Sequence, residues 1–185
     1  HTPHIPTAGM LKGIINPVRF LKSINTYLLR KPILEGDLVV AYSQFSRNLI
    51  LKGVADPCFN RVKVVPPGVE SSWFDVERKL STDSRLLFWG RLEEEKGLPE
   101  LFIALKEVTK KIKRVKLTLV GEGNQLKEYK NLVATLGLTG QVEFKGWLDA
   151  REIQNLTTQS YLGLFPSRVE SFGLSVIEAM AAGLP

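Results

Sequence analysis

Arg91 and Lys96 stand at the two ends of the short segment Gly90-Arg91-Leu92-Glu93-Glu94-Glu95-Lys96-Gly97. An arginine can fork two hydrogen bonds onto one phosphate and a lysine brings a mobile point charge, so together they suit a diphosphate. The alternative is a solvated loop in which both cations pair with Glu93, Glu94 and Glu95. A second segment, Val120-Gly121-Glu122-Gly123, has glycines that could let a backbone approach a ligand, but Leu126 stands where a dinucleotide fingerprint needs its third glycine. A tight turn at a helix entrance is the default there. The third segment runs from Pro166 through Glu170 and Gly173 to Glu178. On one continuous helix, residues eight apart would be rotated by about 80° and separated by about 12 Å, so the two glutamates would not converge. A loop before Gly173 removes that difficulty. Glu170 would then lie on a strand-to-helix loop, the amides of Gly173 and Leu174 would face an anion, and Glu178 would accept hydrogen bonds from hydroxyls such as those of a ribose. Against this stands a local reading, in which Ser175 and Glu178 form a capping box and Glu170 is simply exposed.

The elements that must position these residues follow from apolar patterning. LVVAYS (38–43) is a short buried-type strand, 43–53 a helix ending at Gly53, and 61–68 a strand stopped by Pro66 and Pro67. After a polar interval around 70–84 the alternation resumes with strands at 85–89, 115–120, 142–145 and 161–165, and with helices near 98–113, 124–136, 150–158 and 173–182. Strands alternating with helices predict an α/β fold, a parallel sheet wrapped on both faces. All three segments sit where a strand ends, which is where ligands bind in such sheets. The expected organisation is two Rossmann-like units, 1–75 and 76–185.

The 185 residues are 44% apolar and 24% charged, enough to bury a core. The net charge of +6 is unevenly placed: Lys and Arg exceed Asp and Glu by 11 to 6 over residues 1–80 and by 14 to 13 over 81–185. Such a bias favours phosphate-bearing or anionic-membrane partners. The absence of interleaved aromatic and basic residues argues against a nucleic-acid strand. Residues 10–33 mix Leu, Ile and Phe with Lys and Arg and read either as a connector or as a peripheral membrane contact, although Pro17 weakens a long amphipathic helix. A single cysteine, Cys58, fits a reducing, cytoplasmic setting. The chain opens on His1, not Met, so the true N-terminus is expected upstream. His1 and His4 lack the further ligands a zinc site needs.

Taken together and in order, GRLEEEKG, LVGEGNQL, VEFKGWL and PSRVESFGLSVIEAMAAGLP closely resemble the C-terminal nucleotide-binding domain of the retaining glycosyltransferases of family 4, of GT-B architecture. DLVVAYSQFSRNLI and RVKVVPPGV resemble the last strands of that family's N-terminal domain. The resemblance implies transfer of a hexosyl group from a nucleoside diphosphate sugar to a carbohydrate or lipid-linked hydroxyl acceptor. It implies that Arg91 and Lys96 hold the diphosphate and offset charge on the leaving group, that Glu170 contacts the transferred sugar, and that Gly173 and Leu174 give amides to phosphate. Glu178 would bind ribose hydroxyls, and the strand end at Gly146 to Leu148 would lie beside the base. No cofactor or metal is implied. His1 could match a histidine near the donor sugar. A non-catalytic nucleotide-sugar-binding fragment and a sugar-nucleotide epimerase are the alternatives. Relative to the family the sheet is expected to be truncated at both ends, leaving an apolar edge at 161–165.

Overall fold

The computed structural model describes Ile33 and residues 35–53, 60–78 and 84–185. Expectations for His1, His4, Cys58 and most of the 10–33 connector fall outside the described residues. The chain divides into two compact units at Pro66/Pro67, ahead of the 75/76 boundary expected above. The physical reason is Trp73. It closes a short 3₁₀ turn (Ser71–Trp73), is 2% exposed, and stacks on Trp89 with ring centroids 5.9 Å apart, which carries residues 67–78 into the second unit.

In the first unit, strand β1 (Val39–Ala41) pairs in parallel with β2 (Val62–Val64), connected by helix α1 (Gln44–Gly53). Ala41 and Val62 are its buried centre, with Ile50 and Leu51 of the helix packed against them. The Ser43 hydroxyl accepts from the Ser46 amide at 3.1 Å and so satisfies a donor that the helix start leaves free.

The second unit carries β3 (Arg85–Trp89), α2 (Leu98–Lys111), β4 (Lys116–Val120), α3 (Leu126–Thr135), β5 (Val142–Gly146), α4 (Ala150–Gln159), β6 (Leu162–Gly163) and α5 (Leu174–Ala181). Its four strands are all parallel, in the spatial order β5-β4-β3-β6. Alternation within each strand divides the core in two. Phe88, Leu117 and Leu119 face α2 and α3, meeting Phe102, Leu105, Tyr129 and Val133. Leu87, Trp89 and Val120 face α4 and α5, meeting Ala179, Ala182, Ile153 and Leu156. Because both faces are covered, the central strands β3 and β4 are mostly apolar, whereas the edge strand β5 alternates with Glu143 and Lys145. Each fully buried Leu or Phe contributes on the order of 1.5–3 kcal/mol.

The strand expected over 161–165 is shorter than its apolar run. Only Leu162 and Gly163 hold strand geometry, although Tyr161 and Leu164 still donate to Arg85 and Leu87 at 2.7 and 2.9 Å. Pro166 ends the run, since it has no N–H to extend a ladder. The outer side of β6 is not wholly open: the Gly163 amide donates to Pro185 O at 2.7 Å, and Leu184 lies over Gly163 so closely that a Cβ there would stand 3.1 Å from its Cδ2.

Candidate functional site

The direction of travel reverses once in the second sheet: β3, β4 and β5 proceed one way, and the chain then crosses back to lay β6 on the far side of β3. At such a switch point the loops leaving the two adjacent strands diverge and open a crevice beyond their carboxyl ends. The β3 loop holds Arg91 and Lys96, and the β6 loop holds Glu170.

The β3 loop is pinned backbone to backbone. Leu92, fully buried, donates to Glu122 O at 2.8 Å and its carbonyl accepts from Gln125 at 3.1 Å. Gly121 has φ 128°, and a Cβ there would stand 2.0 Å from Gly90 O. The same is true of Gly123 against Leu92 O, at 2.4 Å. The close approach these glycines permit is therefore between two loops of the protein. Glu94–Lys96 then form a 3₁₀ turn closed by Gly97 at φ 66°, and α2 starts at Leu98 with Pro99 in its first turn.

Lys96 reaches across to the β6 loop: its Nζ lies 2.6 Å from Glu170 Oε1, joining residues 74 apart in sequence. Ser167 Oγ donates to the same oxygen at 2.8 Å. Burial pushes the Glu170 carboxyl up, but the hydrogen bonds from Lys96 and Ser167, with the charges of Lys96 and Arg91, outweigh it and hold its pKa below the ordinary glutamate value. Arg91 is more open, 74% exposed, and its guanidinium lies 3.2 Å from Glu95. Thus Arg91 makes the local pairing that the solvated-loop alternative anticipated, whereas Lys96 pairs across the crevice.

Helix α5 begins at Leu174, with Gly173 as its N-cap at φ 84° and no side chain capping it. The first backward bonds run from Val176 and Ile177 to Gly173 O, at 3.0 and 3.3 Å. The Leu174 amide therefore precedes the helix's own hydrogen-bond ladder and points out of its positive end. Ser175 is inside the helix and forms no capping box with Glu178. Instead Glu178 Oε2 accepts from the buried Trp89 indole Nε1 at 2.7 Å, which aims the carboxylate at the β3 end. The capping box in this unit belongs to α4, where Asp149 and Glu152 exchange two 2.9 Å bonds.

Beside these groups a cavity of about 310 Å³ opens between Gly90, Gly121, Glu122, Trp147 and Leu148, with Trp147 72% exposed at its rim. A larger cleft, about 580 Å³, lies at the opposite end of the sheet against Arg85, Lys116 and Val142, where strands begin. There the Lys116 ammonium is engaged by Gly140 O and Lys145 by Glu143, and no strand-end loop contributes.

The structure thus gathers Arg91, Lys96, Glu170, Gly173, Leu174 and Glu178 around the carboxyl ends of β3 and β6. Sequence reasoning missed Trp89, Ser167 and Arg168. A tryptophan at the last position of a buried strand, next to Gly90, was the one available signal.

Over its whole length the chain is 29% identical to glycogen synthase of Mycobacterium tuberculosis, of which it spans 44%. Over 83% of its length it is 32% identical to D-inositol 3-phosphate glycosyltransferase of Segniliparus rotundus, of which it spans 37%. The chain therefore spans less than half of these curated relatives. Among solved structures, Staphylococcus aureus TarM in complex with UDP superposes with a TM-score of 0.74 at 21% identity, covering 94% of this chain and 34% of that one. Anabaena HepE in complex with UDP and glucose gives 0.74 at 22% identity, covering 95% and 50%. The fold is that of GT-B glycosyltransferases. Residues 69–185 match the family model described as Glycosyl transferases group 1, and the chain belongs to that family.

Proposed function

We propose that the parent protein is a family 4 glycosyltransferase that moves a hexosyl group, with retention, from a nucleoside diphosphate sugar to a carbohydrate or lipid-linked hydroxyl. The observation that carries this reading is the meeting of Lys96 and Glu170 at 2.6 Å from separate loops, with the charge of Arg91 on the same carboxylate. Both cations face carboxylates, Lys96 that of Glu170 and Arg91 that of Glu95. A diphosphate can replace those carboxylates as the anionic partner, with the Leu174 amide completing its shell. As the sugar departs, the two cations offset the charge left on the nucleoside diphosphate. Glu170 is then released toward the transferred sugar. Glu178, already oriented by Trp89, receives the ribose hydroxyls, and the cavity walled by Gly121 and Trp147 takes the base, for which an exposed indole offers a stacking face.

The test is calorimetric titration with UDP, GDP and ADP, their monophosphates and their nucleosides, with and without magnesium. Binding of the diphosphate is expected to be independent of magnesium. The monophosphate should bind more weakly, because losing a charge-assisted hydrogen bond costs about 1.5–3 kcal/mol. Equal affinity for nucleoside and diphosphate would remove the phosphate roles of Arg91 and Lys96.

A further inference from the structure

The loop that carries Glu170 has no secondary structure of its own between β6 and α5, so something else must hold the carboxylate in place. Three contacts do so, all against the segment that carries Lys96. Pro166 O lies against Gly97, so close that a Cβ on Gly97 would stand 2.2 Å from it. The Arg168 amide donates to Glu95 O at 2.8 Å. The Arg168 guanidinium bonds to Glu100 in the first turn of α2, and its other terminal nitrogen lies 3.9 Å from Glu94. These contacts flank Lys96 on both sides and lie just ahead of Glu170, joining the same two loops. The hydrogen bond to Glu100 pushes the guanidinium up, and its counterpart from Arg168 pulls the Glu100 carboxyl down, as expected for a formed pair.

We propose that Arg168 is a positioning residue for donor binding: by clamping the Glu170 loop onto Glu94 to Glu100 it sets the spacing between Lys96 and Glu170, without touching the donor itself. This deepens the proposed function and rests on Lys96 being a phosphate contact. The pair is half exposed on both sides, 50% and 56%, and exposed ion pairs add little to stability. Its effect therefore belongs to site geometry, where small displacements are costly.

The experiment compares Arg168→Gln, Glu100→Gln and Lys96→Met in the full chain, with two readouts and a thermal melt. The first readout is the titration of the Glu170 side-chain carboxyl by carbon NMR, which needs no nucleotide. The second is the calorimetric affinity for UDP, GDP and ADP and for their nucleosides. Arg168→Gln should leave the melt nearly unchanged, move the Glu170 titration up toward the ordinary glutamate value, and weaken the diphosphate by about three- to tenfold while the nucleoside is unaffected. Glu100→Gln decides between a clamp and a simple field effect because the two have opposite signs. Removing a negative charge alone lowers the Glu170 titration, whereas releasing Arg168 loosens the Lys96 bond and raises it. A downward shift in Glu100→Gln, or no shift in either variant, overturns the proposal. Lys96→Met separates the two ideas: if it leaves diphosphate affinity intact, the phosphate reading fails on its own, while the titration arm still judges the clamp.

Discussion

Single residues at this site have contacts that make their substitutions informative. Glu178 accepts from the Trp89 indole, and a glutamine carbonyl can accept the same bond, so Glu178→Gln should leave the melting temperature nearly unchanged while nucleotide affinity drops. Glu178→Leu should in addition destabilise the fold by about 1–3 kcal/mol, because the buried indole N–H loses its partner. Calorimetry and thermal melts on both variants check this, and unchanged affinity in the first would return Glu178 to a purely structural role. Glu170 gives a pH dependence of defined sign. Its pKa is lower in the folded protein than the ordinary value of 4.5, so the stability it contributes is present above that value and is lost as pH falls through the folded pKa. Wild type should therefore melt above Lys96→Met at pH 7, and the gap should close on acidification below 4.5. The gap will be small, since Glu170 keeps a third of its side chain exposed. A gap that persists unchanged in acid would show that Lys96 stabilises the fold by some other means.

At the scale of elements, the parallel sheet and the helix positions were legible in the sequence because strands covered on both faces leave apolar runs such as RLLFW and KLTLV, and because Pro99 marks a helix start. Cross-loop pairings were not legible. Nothing in the spacing of Lys96 and Glu170 announces a contact between residues 74 apart, and the neighbouring glutamates offered nearer partners. The Trp89 bond hid the role of Glu178 behind a plausible capping pattern. Arg78 went unnoticed for the same reason, since it lies in a polar stretch yet its guanidinium donates to Thr157 O at 3.2 Å and Ser160 O at 2.7 Å, and also to Gly183 O. Those carbonyls end α4 and α5, so one side chain caps the negative ends of both helices. Arg78→Met is expected to lower stability by about 1.5–3 kcal/mol in denaturant unfolding. Gly121→Ala should cost about 1–3 kcal/mol, because its backbone is left-handed and Gly90 O occupies the space a Cβ needs. Wild-type stability in that variant would mean that the two loops can part freely.

For the molecule as a whole, the chain spans 44% of a full-length relative, and its described site residues come from one sheet. Transfer requires donor and acceptor to be held together in a near-attack arrangement, a contribution of about 7–11 kcal/mol to the barrier. We expect this chain to bind nucleoside diphosphate without sustained turnover. Release of nucleoside diphosphate from UDP-, GDP- and ADP-sugars, with water and simple glycosides as acceptors, measures it. Steady release that vanishes in Glu170→Ala would contradict the expectation and show a working site. No helix among the described residues is long and apolar enough to cross a membrane. Contact with a membrane surface through residues 10–33 remains a proposal, tested by sedimentation with anionic liposomes at low salt.

The aromatic packing around β3 has an optical consequence. The chain has three tryptophans, Trp73, Trp89 and Trp147, and all of them lie in the second unit. Trp73 and Trp89 are buried with planes only 6° apart, close enough for their excited states to couple, while Trp147 is exposed at the rim of the cavity. Tryptophan emission, excited selectively beyond the tyrosine band, therefore reports on one unit alone. Two separable signals are expected: a blue-shifted one from the buried pair, sensitive to the Trp89 hydrogen bond on Glu178, and a redder one from exposed Trp147 that a stacking base would quench.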